Sequence, residues 1–224
     1  INAVILDKTG TLTKGKPAVT DIIATSIEQD SEILKIAASV EKKSEHSLAR
    51  AIVQKAEEEK ITLNEVEEFD AVPGHGVKAK LNGRTIVLGT RKLMADNNIN
   101  YQALESEIVK LEEEGKTAML LAQDNKIIGI IAVADVLKKE SKNAIETIKK
   151  EGLEIWLITG DNERTAKAIA KEVGIDNVMA QVLPQDKARE VEKLQKTGKK
   201  VAMIGDGIND APALAQSDLG VAMG

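Results

Sequence analysis

The sequence predicts an α/β protein, a parallel β-sheet domain interrupted by an inserted α+β unit whose antiparallel sheet is flanked by helices. Three observations carry this. Four short apolar segments each run into a polar or glycine-rich cluster: AVILDKTG, IIAVADVL, EIWLITGD and KVAMIGDG. Helical patterns, SKNAIETIKKEG and ERTAKAIAKEVG, separate the last three, and alternation of strands with helices of that length means crossovers and parallel pairing. From about Pro17 to Gln123 the pattern changes to charged amphipathic helices and short strands separated by turn signals.

Taken in order, AVIL forms the first strand and ends at Asp7. TKGKPAVT then links it to the insertion, where helices are expected around Ser31 to Glu58 and Tyr101 to Gly115. GVKAKL and RTIVLG read as a hairpin through Asn82-Gly83, and TAMLLA as a further strand. IIAVADVL returns the chain to the first domain as the second linker, so that the two linkers together form a hinge. Both following helical patterns close at a glycine suited to a C-cap, and LPQDKA opens the helix QDKAREVEKLQKTG before the strand KVAMIG. The expected domains are 1–16 with 131–224, and 17–130.

Composition narrows the function classes. The chain has 224 residues, enough for one sizeable core or two modest ones. A net charge of -5 and a single Trp, Tyr and Phe leave no basic, aromatic face on which bases would stack, so nucleic acid is not an expected partner. With no cysteine, disulfides and thiolate metal sites are excluded within the chain. The longest apolar run, IIGIIAVA, is far shorter than the roughly 20 residues that span a bilayer. The chain opens without Met one strand before DKTGTLT and stops at GVAMG, and reads as an excised piece of a longer protein. The runs EEEK and EEEGK read as solvated helix faces and ends, and Gly115-Lys116-Thr117 lacks the earlier glycine of a phosphate-binding loop.

Ligands of parallel sheets sit beyond the carboxyl ends of the strands, where Asp7, Asp161 and Asp206 should converge. If Asp7 attacks a phosphoryl group, the approach of anion to anion requires a cation, a fixed ammonium and hydrogen-bond donors. Asp206 can hold Mg²⁺ together with Asp7 and the main-chain oxygen of Thr9, with Asp210 one turn later supporting that shell. Lys187 offers a point charge, and Thr159, the amides of Thr159-Gly160-Asp161 and Asn209 offer donors. Singly, each residue is better explained as a turn, a cap or a solvated side chain. Their joint occurrence in this order, after apolar strands, favours a site.

DKTGTLT, TGD, PxxK and GDGIND resemble the phosphorylation domain of the P-type ATPases, cation pumps of the haloacid-dehalogenase-like superfamily, and the resemblance runs along the whole chain. It implies a haloacid-dehalogenase-like fold in which Asp7, followed by Lys8, takes the γ-phosphate of ATP as an acyl phosphate. Lys187 and Thr159 would contact that phosphate and Asp206 would carry Mg²⁺. Phosphatases of the superfamily usually place a second acid two residues after the nucleophile. Here that residue is Thr9, which cannot act as a base, so the acyl phosphate should persist. Dephosphorylation in these pumps depends on an actuator domain absent from this chain, and little or no turnover is expected of it alone.

The insertion resembles the nucleotide-binding domain of the heavy-metal class through SEHSLARA, VPGHGV and LGTRKLM. That likeness implies that Glu45 accepts from the adenine amino group, that His46 contacts the ring, and that Gly74, Gly76, Gly89 and Thr90 lie against the nucleotide. Ser47 stands where the family has Pro, Thr90 where it often has Asn, and His75 has no assigned role. Overall likeness to copper pumps implies copper as the transported ion, bound elsewhere in the full-length protein, with zinc or cadmium as alternatives. The implied partners are ATP and the membrane and actuator domains of the parent chain, and the implied place is the cytosolic portion of an integral membrane protein, the plasma membrane being expected. The rivals are a soluble phosphatase of the same superfamily, against which Thr9 argues, and a nucleotide-sensing module without phosphorylation.

Overall fold

The structure is a computed structural model describing residues 1–25, 29–44, 46–207 and 210–223. Its strands are β1 (Ala3–Asp7), β2 (Thr13–Ala24), β3 (Glu68–Val72), β4 (Gly76–Leu81), β5 (Arg84–Gly89), β6 (Thr117–Gln123), β7 (Lys126–Leu137), β8 (Glu154–Ile158), β9 (Asn177–Met179), β10 (Val201–Gly205) and β11 (Leu219–Ala222). Its helices are α1 (Asp30–Glu41), α2 (Ser47–Glu58), α3 (Arg91–Asp96), α4 (Glu105–Glu113), α5 (Ser141–Lys150), α6 (Glu163–Val173), α7 (Lys187–Lys196) and α8 (Ala211–Gln216). They form two compact units, one of Ile1–Lys16, Glu113–Gly115 and Asp135–Gly224, the other of Pro17–Glu112 and Lys116–Ala134.

The first unit holds a parallel sheet in the order β11-β10-β1-β8-β9. Its central strand is apolar up to its last residue, Asp7, because both faces are covered. Val4 and Leu6 join Ile155, Leu157 and the α5 and α6 residues Ile145 and Ile169 on one face. Ala3 and Ile5 join Met203 and the α7 residues Val191 and Leu194 on the other. The chain adds β8 and β9 to one side of β1 and then β10 and β11 to the opposite side. That reversal opens a crevice at the carboxyl end of β1, the place where open α/β sheets bind ligands.

The second sheet runs β2-β7-β6-β5-β4-β3, with antiparallel pairing from β3 through β7. Helices α1 and α2 cover one face through Ile33, Ala37 and Ile52, packed with Val77, Leu88 and Leu121. Helices α3 and α4 cover the other through Leu93, Met94, Ile108 and Leu111, packed with Val87, Leu120 and Ile130. Arg91 ties these two helices by ion pairs to Glu105 and to the buried Glu112.

Three expectations are corrected. IIAVADVL is not a strand of the parallel sheet: it lies within β7 and pairs antiparallel with β6. A run buried on both faces looks the same in either pairing, and the deciding signal is the Asp124-Asn125 turn, whose residues both have positive φ (48° and 64°) as a tight hairpin turn requires. The segments expected as hinge linkers lie within strands, TKGKPAVT in β2 and IIAVADVL in β7. The single helix expected over Ser31 to Glu58 is two helices, because His46 caps α2 by accepting from the Leu48 amide. At Asn82-Gly83 the hairpin forms as expected, with φ of 51° and 75°. Thr117 starts a strand and Lys116 pairs with Asp21, so Gly115-Lys116-Thr117 is no phosphate loop.

Candidate active site

The first unit's crevice is built at the ends of three neighbouring strands. β1 ends at Asp7, whose register partner on β8 is Ile158, and β10 ends at Gly205, one residue before Asp206. Asp7 is buried (4% exposed), and Lys187, the first residue of α7, donates to its Oδ1 at 2.8 Å. Burial pushes the Asp7 carboxyl up to about 6 against the pull of Lys187, and the neighbouring charge of Asp210 adds to the rise. For Lys187 burial opposes the charged form, but Asp7 and Asp210 outweigh it and hold the ammonium above its ordinary value.

Asp210 is fully enclosed. Its Oδ1 accepts from Lys187 at 2.6 Å, and its Oδ2 accepts from the Asp206 amide at 3.1 Å. A Cβ at Gly205 would lie 2.2 Å from that Oδ2, so glycine there makes room for the carboxylate. Placed in a cation shell from its spacing, Asp210 instead stands behind Lys187 with both oxygens engaged.

Between β1 and β2 the chain makes a tight turn in which Gly10 takes φ 77°, a conformation that a side chain strains. A Cβ on Gly10 would come within 3.3 Å of the Asp206 Cβ, so the turn carrying the Thr9 carbonyl lies directly against Asp206. Asp7, Asp206 and that carbonyl offer oxygen donors only. Among the described residues no group of three or more His, Cys, Asp or Glu side chains could hold a metal ion. Two carboxylates and a carbonyl nevertheless fit Mg²⁺, which keeps several of its waters, and a cation there would offset the burial cost at Asp7.

Beyond β8, Thr159 is buried and its hydroxyl donates to Asp161 Oδ2 at 3.1 Å while accepting from the Asp161 amide at 3.2 Å. Asp161 Oδ2 also pairs with Lys8 at 2.5 Å, so the ammonium next to Asp7 is held by the following strand's loop. Gly160 is exposed between them. Asn162 caps α6 through the amides of Arg164 and Thr165. The structure therefore brings together Asp7, Lys8, Lys187 and Asp210 with Thr159 and Asp161. Asn209 lies outside the described residues.

In the second unit Gly76 and Gly89 are register partners, and the Thr90 amide donates to His75 O at 2.8 Å. A Cβ on Gly76 would meet Leu88 O at 2.1 Å and one on Gly89 would meet His75 O at 2.1 Å. Strand packing alone thus requires glycine at both positions. Gly74, with φ 73°, turns the chain between β3 and β4, and Thr90 caps α3 by accepting from Leu93. His46 is exposed at the start of α2, its Nδ1 accepting from Leu48 at 3.3 Å, which places the proton of a neutral ring on Nε2. Glu45 lies outside the described residues.

One candidate escaped the sequence reading. Glu41 ends α1 just before the turn that carries His46, is 3% exposed, and has one carboxylate oxygen, Oε2, without a hydrogen-bond partner. Burial pushes it up to about 7, although Ser44 donates to it. An enclosed, half-satisfied acid at a helix C-terminus opposes stability on two counts, and such groups cluster at functional sites. The signal in the sequence is the His46 cap of α2, which ends the preceding helix near Glu41.

Residues 1–218 match the family of haloacid dehalogenase-like hydrolases. A copper-exporting P-type ATPase of Staphylococcus aureus (strain bovine RF122 / ET3-1) is 50% identical over 225 residues, covering 100% of this chain and 27% of that protein. The chain thus spans about a quarter of the length of such curated relatives. The catalytic domain of the CPx-ATPase CopB-B, from work on conformational changes upon nucleotide binding, superimposes with TM-score 0.76 at 36% identity, covering 100% of this chain and 78% of that one. A zinc-transporting PIB-type ATPase in the E2.Pi state gives TM-score 0.66 at 38% identity, covering 100% of this chain and 36% of that one. The chain belongs to the haloacid dehalogenase-like hydrolase family and, within it, to the catalytic domains of the heavy-metal P-type ATPases.

Proposed function

We propose that this chain is the ATP-binding and phosphorylation core of a heavy-metal cation pump, that Asp7 is its phosphoryl acceptor, and that copper is the exported ion. The observation that carries the reading is the setting of Asp7: a buried carboxylate at the end of the central strand, bonded to Lys187, with Thr9 rather than an acid two residues on. Copper rests on 50% identity to a copper exporter, against 38% to a zinc-transporting relative.

In this reading the unit holding Ile1–Lys16 and Asp135–Gly224 serves as the phosphorylation domain and the unit of Pro17–Glu112 and Lys116–Ala134 as the nucleotide-binding domain, the boundary expected at 131 moving to 135 because 131–133 pair with β6 in the antiparallel sheet. An Asp7 oxygen forms a bond to the γ-phosphorus of ATP as the bond from that phosphorus to the β–γ bridging oxygen breaks and ADP departs. Lys187 offsets the gathering negative charge, and Asp210, engaged on both oxygens, holds Lys187 in place. Thr159 would supply a donor by turning its hydroxyl proton from Asp161 to the phosphoryl group, and the Lys8–Asp161 pair fixes the loop after β8 beside the acceptor loop. Mg²⁺ bound by Asp7, Asp206 and the Thr9 carbonyl would neutralise phosphate oxygens. With no carboxylate at position 9 to activate water, the acyl phosphate outlives its formation. Nucleotide is held in the second unit by Glu45, His46, Gly74, Gly76, Gly89 and Thr90, and we add Glu41, a buried acid at the end of α1, as a further acceptor.

In the whole protein the chain would be a cytosolic portion of an integral plasma-membrane protein whose membrane and actuator segments lie outside it. Among the described residues no helix is long and apolar enough to cross a membrane.

The test is incubation with γ-labelled ATP and Mg²⁺, acid quench, and treatment with hydroxylamine. Label that hydroxylamine releases, and that Asp7→Asn abolishes, is the expected result. Nucleotide binding indifferent to Asp7→Asn with no covalent label would overturn it, and rapid hydrolysis of phosphate monoesters would point to a phosphatase. Stimulation of the full-length parent by zinc and not by copper would overturn the choice of ion.

A further inference from the structure

We propose that Asp135 and Lys138 are positioning residues for the turn that faces the cation, Asp135 fixing the direction of the Thr9 carbonyl through Thr13, and Lys138 fixing the peptide that follows. The inference rests on the reading of that carbonyl as a Mg²⁺ ligand.

Thr9 (φ -75°, ψ 125°) and Gly10 (φ 77°, ψ -19°) have the central angles of a type II turn. A type I turn connects the same chain ends with the central peptide rotated by about half a revolution. That central peptide contains the Thr9 carbonyl and the Gly10 amide. Because it is planar and trans, the direction of its N–H dictates the opposite direction of its C=O. Whatever holds the Gly10 amide therefore aims the Thr9 oxygen.

The Gly10 amide donates to Thr13 Oγ1 at 3.2 Å. Thr13 has a single hydroxyl proton, with Asp135 Oδ2 at 2.6 Å and Lys8 O at 3.0 Å as acceptors. The short bond to the carboxylate prevails and turns an oxygen lone pair toward Gly10. Asp135 is itself oriented by the Gly15 amide at 3.0 Å and the Lys16 amide at 3.1 Å. Lys138 Nζ donates to Gly10 O at 2.6 Å, so the next peptide is also held. Thr13 is fully buried, which keeps water from its hydroxyl. Asp135 and Lys138 touch no reacting group and act only through the turn.

The experiment uses Mg²⁺ with beryllium fluoride, a mimic of the phosphoryl group on Asp7, followed by ¹⁹F NMR, together with hydrogen exchange of the Gly10 amide in the metal-free chain. Thr13→Val should raise the Mg²⁺ concentration for half-maximal binding about tenfold, the effect of losing a hydrogen bond to a charged system. It should also accelerate Gly10 exchange. Thr13→Ser should stay within about threefold of the original chain, since it keeps the hydroxyl. Asp135→Asn and Lys138→Met should shift the midpoint in the direction of Thr13→Val, and Lys138→Arg should restore it. Should Thr13→Val not fold, Asp135→Asn supplies the same two readouts. Unchanged Mg²⁺ midpoints and Gly10 exchange in the folded variants would overturn the proposal, as would absence of a bound resonance in the original chain. If the original chain binds beryllium fluoride but gains no label from ATP, the ATP reading fails and this inference stands.

Discussion

Lys187 stands 2.8 Å from Asp7 and, on its other side, 2.6 Å from the enclosed Asp210. One ammonium thus compensates two buried carboxylates, and the three groups stand or fall together. Lys187→Met should leave both acids uncompensated and cost about 3–5 kcal/mol. Because protonation removes that penalty, the loss should be largest above neutrality and shrink on acidification, as denaturant melts at pH 8 and pH 5 would show.

Asp7→Asn should stabilise the cation-free chain. Its carboxyl titrates at about 6 when folded against 3.8 as the reference, so the folded state holds the extra proton and stability falls as pH rises between those values. The full penalty is present above about pH 6, and relieving it should add about 1–3 kcal/mol. Thermal melts should show the gain at pH 7.5, none near pH 4, and a smaller one with Mg²⁺.

Glu41→Gln should behave in the same sense in the second unit. Glu41 is raised from 4.5 to about 7, so its burial costs nothing in acid and its full amount above neutrality. The variant should gain about 1–3 kcal/mol at pH 8 and weaken ATP binding, measured by calorimetry. Gain of stability with unchanged ATP affinity would assign Glu41 no part in the pocket.

Gly76→Ala should damage folding and not only ligand binding. Its Cβ would meet backbone 2.1 Å away, at a φ of 133° that side chains rarely adopt. A two-dimensional NMR spectrum should lose dispersion across β3 to β5 even without nucleotide.

Ser47→Pro should be tolerated and mildly stabilising, by about 0.4–1 kcal/mol. Ser47 is the first residue of α2, where the amide proton that Pro lacks has no helical partner and its fixed φ suits the helix. A rise in melting temperature with unchanged or tighter ATP binding is the expected outcome.

By itself the sequence determined the alternation that makes the α/β unit, the inserted unit, and the order of Asp7, Thr159 and Asp206 at strand ends with Lys187 opening a helix, because strand periodicity, glycine stops and strand-end polar residues are local properties. It could not decide which sheet took IIAVADVL, since a run apolar on both faces suits parallel and antiparallel partners alike, and only the Asp124-Asn125 turn and its pairing with β6 settled it. Nor could spacing show that Asp210 faces Lys187, or that Asp135 reaches back 122 residues to Thr13. Burial at Asp7 and Glu41 belongs to the tertiary structure as well, for the cost of a buried charge is set by whatever the rest of the chain packs around it.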